Sequence, residues 1–104
     1  MDFKYYQSLV DDAKLSDNKE LWVAEYGYSA DCPYEPEQLL EVLGIIYDVA
    51  HMDIKPLVAR ANGLTRVAET FRVPYPTAKK WQYGERTLPE HELRLIGYAL
   101  ISDI

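Results

Sequence analysis

Apolar residues recur along this chain at helical intervals, and no stretch of useful length keeps the two-residue interval of a strand. Over residues 2–14, Phe3, Tyr6, Leu9 or Val10, and Ala13 fall three or four apart, which predicts an amphipathic helix. Ser16 is placed to cap a second helix, with Asp17 and Glu20 in a first turn where the helix dipole favours negative charge. Leu21, Trp22, Ala24 and Glu25 carry that helix to about Tyr26, and Gly27 stops it. The segment 28–35, YSADCPYE, has a proline and no period and reads as a surface loop. Pro36 restarts a helix whose stripe of Leu39, Leu43, Ile46, Tyr47 and Ala50 is the most regular in the chain, until His51-Met52 breaks it. Asp53 can cap a short helix from Ile54 to about Ala61, with Pro56 tolerated in its first turn and Asn62-Gly63 ending it. A closing helix, Pro89 to Ile101, aligns Leu93, Ile96, Leu100 and Ile101. Leu95, Tyr98 and Ala99 lie partly off that stripe, so this helix is either sandwiched in the core or part of a subunit contact.

The stretch 64–86, LTRVAETFRVPYPTAKKWQYGER, predicts two short helices joined by a tight turn. Thr65 can cap the first, and Val67, Ala68 and Phe71 share its apolar face. Arg72-Val73-Pro74 ends it, because Pro74 has no amide hydrogen and holds Val73 extended. Pro76 suits the first turn of the second helix, Ala78 and Trp81 lie on one side of it, and Gly84 can close it in a left-handed conformation.

Ala68, Val73 five later, Ala78 ten later and Trp81 thirteen later resemble the helix-turn-helix of the lambda-repressor-like family, the Cro and repressor type of phage and mobile-element regulators. Gly84-Glu85-Arg86 and Pro89-Glu90 resemble a subgroup whose recognition helix ends W-x-x-G-x-R. The resemblance covers roughly the second half of the chain. Three departures from the pattern stand out. Arg72 stands where the turn often has glycine, so a positive backbone angle there would cost about 1 kcal/mol. Thr65 and Arg66 replace the usual glutamine near the start of the first helix, and Pro76 replaces a basic or polar residue that faces DNA. The fold expected is all-α, a compact bundle of five to seven helices in a single domain of residues 1–104. Residues 1–52 form an acidic helical extension and residues 53–104 the helix-turn-helix part.

With a helix turning about 100° per residue, Pro76, Lys79, Lys80 and Tyr83 point away from the Ala78 and Trp81 side. In such domains that surface lies in the major groove, with residues near the helix start reading base edges. Lys79 and Lys80 suit phosphate or guanine acceptors, Thr77 and Tyr75 suit phosphate or a thymine methyl, and Gln82 sits at the edge of reach. Thr65 belongs to the same surface, and Arg66 and Arg86 would hold flanking phosphates. The bland alternative is that two lysines on a short exposed helix are a solvated face. Trp81 reads as a core anchor rather than a stacking platform for single-stranded bases. Tyr26, Tyr28 and Tyr34, around the loop before the Pro36 helix, suit either a protein interface or ordinary packing.

Composition shifts this picture in two ways. The length and 48% hydrophobic content suffice for one core. No apolar run approaches the ~20 residues of a membrane span, and the chain begins MDFKYY rather than with a basic and then apolar leader, so a cytoplasmic location is expected. The single Cys32 has no internal disulfide partner, and His51 and His91 are too far apart in sequence to suggest a metal site, so neither metal nor cofactor is expected. The acidic residues form no recognisable carboxylate pair, nucleophile motif or phosphate loop, and an enzyme is not expected.

Charge is the second. The net charge of −6 is unlike the basic balance of most DNA-binding domains. It is also uneven. Residues 1–52 carry three lysines against eleven acids, a net −8, while residues 53–104 carry eight lysines and arginines against six acids, a net +2. The asymmetry suggests an acidic part that is held away from a polyanion or limits binding to it. Two functions fit. One is sequence-specific binding of double-stranded DNA by a small transcriptional regulator, through residues 75–83 and as a homodimer, since one short helix reads too few base pairs. The other is a protein-binding module on the same fold, an antitoxin or a phage-encoded inhibitor of a host nucleic-acid-binding protein, in which the acidic half occupies a cationic groove.

Overall fold

The computed structural model describes residues 1–27, 34–60, 64–83, 88–102 and 104. Among them are seven helices and no strand: α1 (Phe3–Ala13), α2 (Lys19–Gly27), α3 (Pro36–Ala50), α4 (Ile54–Arg60), α5 (Leu64–Phe71), α6 (Tyr75–Gln82) and α7 (Glu90–Ser102). The all-α bundle expected from the periodicity is what the chain forms. Most of the predicted loop at 28–35, together with Cys32, Tyr28, Asn62, Gly63, Gly84 and Arg86, lies outside the described residues.

Local chemistry sets the helix ends. Asp2 caps α1, its carboxylate accepting from the Lys4 amide at 2.7 Å. The cap of α2 is Asn18, not Ser16: the Asn18 side-chain oxygen accepts from the Leu21 amide at 3.1 Å. Ser16 instead braces the turn before it, accepting from the Asn18 amide and donating to the Asn18 carbonyl. Both residues are good caps by type, and the connection after α1 decides which one stands at the helix start. At α3, the Gln38 side chain accepts from the Glu35 amide at 3.2 Å, and Pro36 takes a first-turn position that needs no donor.

Helix α3 is the hub, with α1, α2, α4 and α7 all packed against it. The single stripe expected on this helix is too narrow a description. Every residue from Val42 to Ala50 is buried, because α3 is surrounded rather than laid on a surface. One core cluster draws on both halves of the chain, from Tyr6, Val10 and Trp22 to Trp81, Leu93 and Ile101. Asp48 is the one buried charged residue among those described. It is 4% exposed, with Oδ1 accepting from Lys19 Nζ at 2.8 Å and Oδ2 without a partner.

The closing helix is tied to α1 and α3. It begins at Glu90 rather than Pro89 and buries Leu93, Ile96, Gly97 and Ile101, while Leu100 is half-buried and Leu95 stays exposed. Tyr98 packs on Phe3 and Tyr6 and donates to the Met1 carbonyl at 2.7 Å, so its off-stripe position meets the N-terminus. Tyr6 donates to the Arg94 carbonyl at 2.7 Å, and burial raises its phenol well above the usual range. The Arg94 guanidinium donates to Gln7, Asp11 and Glu90, and Lys14 also pairs with Glu90.

Two ionisable groups tie α1 to α2. The Asp12 carboxylate accepts from Tyr26 Oη at 2.5 Å and from Trp22 Nε1 at 2.9 Å, and these bonds hold it below the usual carboxylate range. The bond to Asp12 pushes the Tyr26 phenol up to about 12. Hydrogen bonds from Lys14 and Arg94 lower Glu90 likewise. A carboxylate depressed in the folded state stabilises above its unfolded pKa, and that contribution is lost as pH falls through the folded value. The raised phenol stabilises below pH ~10 and loses its contribution as pH rises beyond it. The melting temperature should therefore be level between about pH 5 and pH 9 and fall on both sides. Asp12→Asn should lower the plateau and flatten both limbs. Thermal melts across the pH range that leave both slopes unchanged would show that Asp12 is not the linked group.

Candidate nucleic-acid interface

Helices α5 and α6 pack on each other and both rest on α4. Helix α5 begins at Leu64, so Thr65 lies within its first turn rather than capping it. The chain leaves α5 by a closed turn: the Arg72 amide donates to the Glu69 carbonyl at 3.4 Å and the Val73 amide to the Ala68 carbonyl at 3.0 Å. This is the Schellman arrangement, which needs a left-handed residue after the cap, and Arg72 adopts φ 53° to supply it. The turn expected from the sequence is thus built in its usual way, on a residue that resists it. Pro74 is extended at φ −60° and ψ 139°, and its carbonyl receives the Thr77 and Ala78 amides as α6 starts. Pro76 sits in that first turn without breaking it.

Burial along α6 follows the helical repeat. Ala78 is fully buried and Trp81 is 9% exposed, so the indole is a core residue and not a stacking platform. Tyr75, Pro76, Lys79, Lys80 and Tyr83 are exposed. Thr77 and Gln82 lie between the two sides and are half-buried. On α5, Thr65 and Arg66 are exposed as well. The structure therefore brings Thr65, Arg66, Tyr75, Lys79, Lys80 and Tyr83 to the surface of one helical pair, leaves Thr77 and Gln82 at its margin, and does not describe Arg86.

The electrostatics of this pair differ from those of the rest of the chain. Residues 64–83 contain Arg66, Arg72, Lys79 and Lys80 against Glu69 alone. Lys14, Lys19 and Arg94 each pair with a carboxylate, whereas these four cations, like Lys4 and Lys55, form no ion pair with a described residue. The acidic half does not cover the lysines. Arg72 is a further exposed cation here that periodicity had treated only as part of a turn.

Among the described residues no group of three His, Cys, Asp or Glu is placed to hold a metal ion, and no helix is long and apolar enough to cross a membrane. His51 stacks on Tyr47 and its Nε2 meets the Ala13 carbonyl at 2.9 Å, while His91 is exposed on α7. Compared with protein-family models, curated proteins and solved structures, the chain has no match.

Proposed function

We propose that this protein is a small regulator that binds double-stranded DNA, with α6 as its recognition helix and the cations of α5 and α6 on the phosphates. The observation that carries the reading is the exposed Lys79 and Lys80, paired with no described residue, on a helix anchored from below by Ala78 and Trp81. A helix with buried small and aromatic residues on one side and exposed cations on the other meets what groove binding requires. The net charge of −6 predicts weak binding with a shallow salt dependence, because salt that screens the attraction of the cations to phosphate also screens the repulsion between the acidic half and the same polyanion. Pairing of two copies through α7, where Leu95 stays exposed, or through the acidic helices would supply a second half-site.

The test is fluorescence anisotropy with duplexes from the DNA flanking its own gene, over a range of salt. Lys79→Ala with Lys80→Ala should weaken binding at least tenfold and reduce the salt slope by about two, each phosphate contact contributing about 0.9. Wild-type protein that fails to bind at low ionic strength would end the DNA reading. Sedimentation velocity on the same protein checks the dimer.

A second reading is favoured by the other half of the molecule. Asp2, Asp17, Glu20, Glu25 and Glu37 are exposed around α1 to α3, a surface able to enter a cationic groove on a nucleic-acid-binding protein. Charge reversal at Glu20 and Glu25 should then abolish capture of a basic partner while any DNA binding is kept or strengthened.

A further inference from the structure

Two non-glycine residues among those described hold positive φ, Met52 at 57° and Arg72 at 53°. They occupy the same place in the same motif. After α3, the Met52 amide donates to the Val49 carbonyl and the Asp53 amide to the Asp48 carbonyl, each at about the length of its counterpart after α5. At such a position glycine carries the least strain, and neither arginine nor methionine is what the backbone asks for. The difference lies in the side chains. Arg72 is exposed, and its side chain makes no hydrogen bond or ion pair with any described residue. Attraction of its guanidinium to the negative end of α5 offsets only part of the strain.

A strained position whose long cation no described residue uses points to a partner outside the chain. Arg72 also lies two residues before Pro74, whose carbonyl opens α6, so an exposed cation stands in the turn that leads into the helix carrying Lys79 and Lys80. We infer that Arg72 is a binding residue for a backbone phosphate of the nucleic acid, setting the register of α6 on the duplex. This rests on the DNA reading above. A guanidinium offers a planar fork of donors matched to two phosphate oxygens, which a lysine at this place would not reproduce. Its contact carries no sequence information, so its loss weakens all duplexes alike.

Arg72→Gly, Arg72→Lys and Met52→Gly separate strain from contact. Both glycine variants should raise the melting temperature by about 4 °C, since each relieves the same backbone conformation. Only Arg72→Gly should weaken binding, roughly tenfold at low salt, and it should reduce the salt slope by about one. The loss should be equal on a labelled duplex from the gene's flanking DNA and on a scrambled duplex of the same composition. Arg72→Lys should keep the charge and the slope but recover only part of the affinity. If wild type binds and Arg72→Gly binds equally tightly with the same slope, the assignment of Arg72 is overturned and the DNA reading stands. If wild type binds neither duplex, both fall together.

Discussion

Gly97→Ala should destabilise the protein by about 2–3 kcal/mol, a large share of the whole stability of a domain this size. A Cβ at Gly97 would lie 2.4 Å from Val49 Cγ2 and 2.6 Å from the Tyr6 hydroxyl. Neither neighbour can yield easily. Val49 is on the surrounded hub helix, and Tyr6 is held by its bond to the Arg94 carbonyl on the same helix as Gly97. The methyl group therefore has to push α7 off α3 or break that hydrogen bond, worth roughly 1 kcal/mol by itself. The better helix propensity of alanine, up to about 1 kcal/mol, offsets only part of the loss. Thermal melts should show a fall of roughly 10 °C or more. Val49→Ala in the same chain should recover part of it, because it removes the methyl that is struck first, and the two changes should be non-additive. An alanine variant as stable as wild type would mean that α3 and α7 do not approach this closely.

Trp81→Ala should have an effect of similar or larger size, about 3–5 kcal/mol, through a different route. The indole belongs to the core cluster and belongs to a helix of only eight residues, too short to persist without tertiary support. Removing it leaves a large void beneath α6 and loosens the hold of α6 on α4 and α5. Under the proposed function, DNA affinity should fall as well, although Trp81 does not face the duplex, since Lys79 and Lys80 would lose their fixed direction. Trp81→Phe should recover most of the stability and much of the affinity. In a Trp22→Phe background, the remaining emission should be that of an apolar site and shift red on unfolding. A water-like emission maximum in the native protein, or a loss below about 1 kcal/mol for the alanine variant, would contradict the buried anchor.

Much of the fold was legible along the chain because its helices are amphipathic and punctuated. Tyr6, Leu9, Val10 and Ala13 are buried where three-to-four spacing puts them, and Leu93, Ile96 and Ile101 likewise. On α6 the side occupied by Ala78 and Trp81 is buried, as helical spacing implied. Neighbouring cap candidates were less legible. Ser16 and Asn18 have similar propensities, and which one starts α2 depends on how α1 ends and where α2 must lie against α3. Thr65 failed as a cap for the same kind of reason, since Leu64 is already helical.

For this protein, spacing and punctuation determined the local matters: helical structure from end to end of the described segments, the buried side of most helices, and a turn at Arg72 to Pro74. These depend on interactions within a few residues, so they are written in the order of the side chains. Packing determined the rest. That α3 is covered all round from Val42 to Ala50, that Gly97 is the point where α7 meets Val49 and Tyr6, and that Arg94 draws in Gln7 and Asp11 all involve partners distant in the sequence. Whether the acidic half lay over Lys79 and Lys80 was a question of the same kind. Charge counts give a total without a location, and only the arrangement of α1 and α2 on the hub leaves those lysines open to solvent.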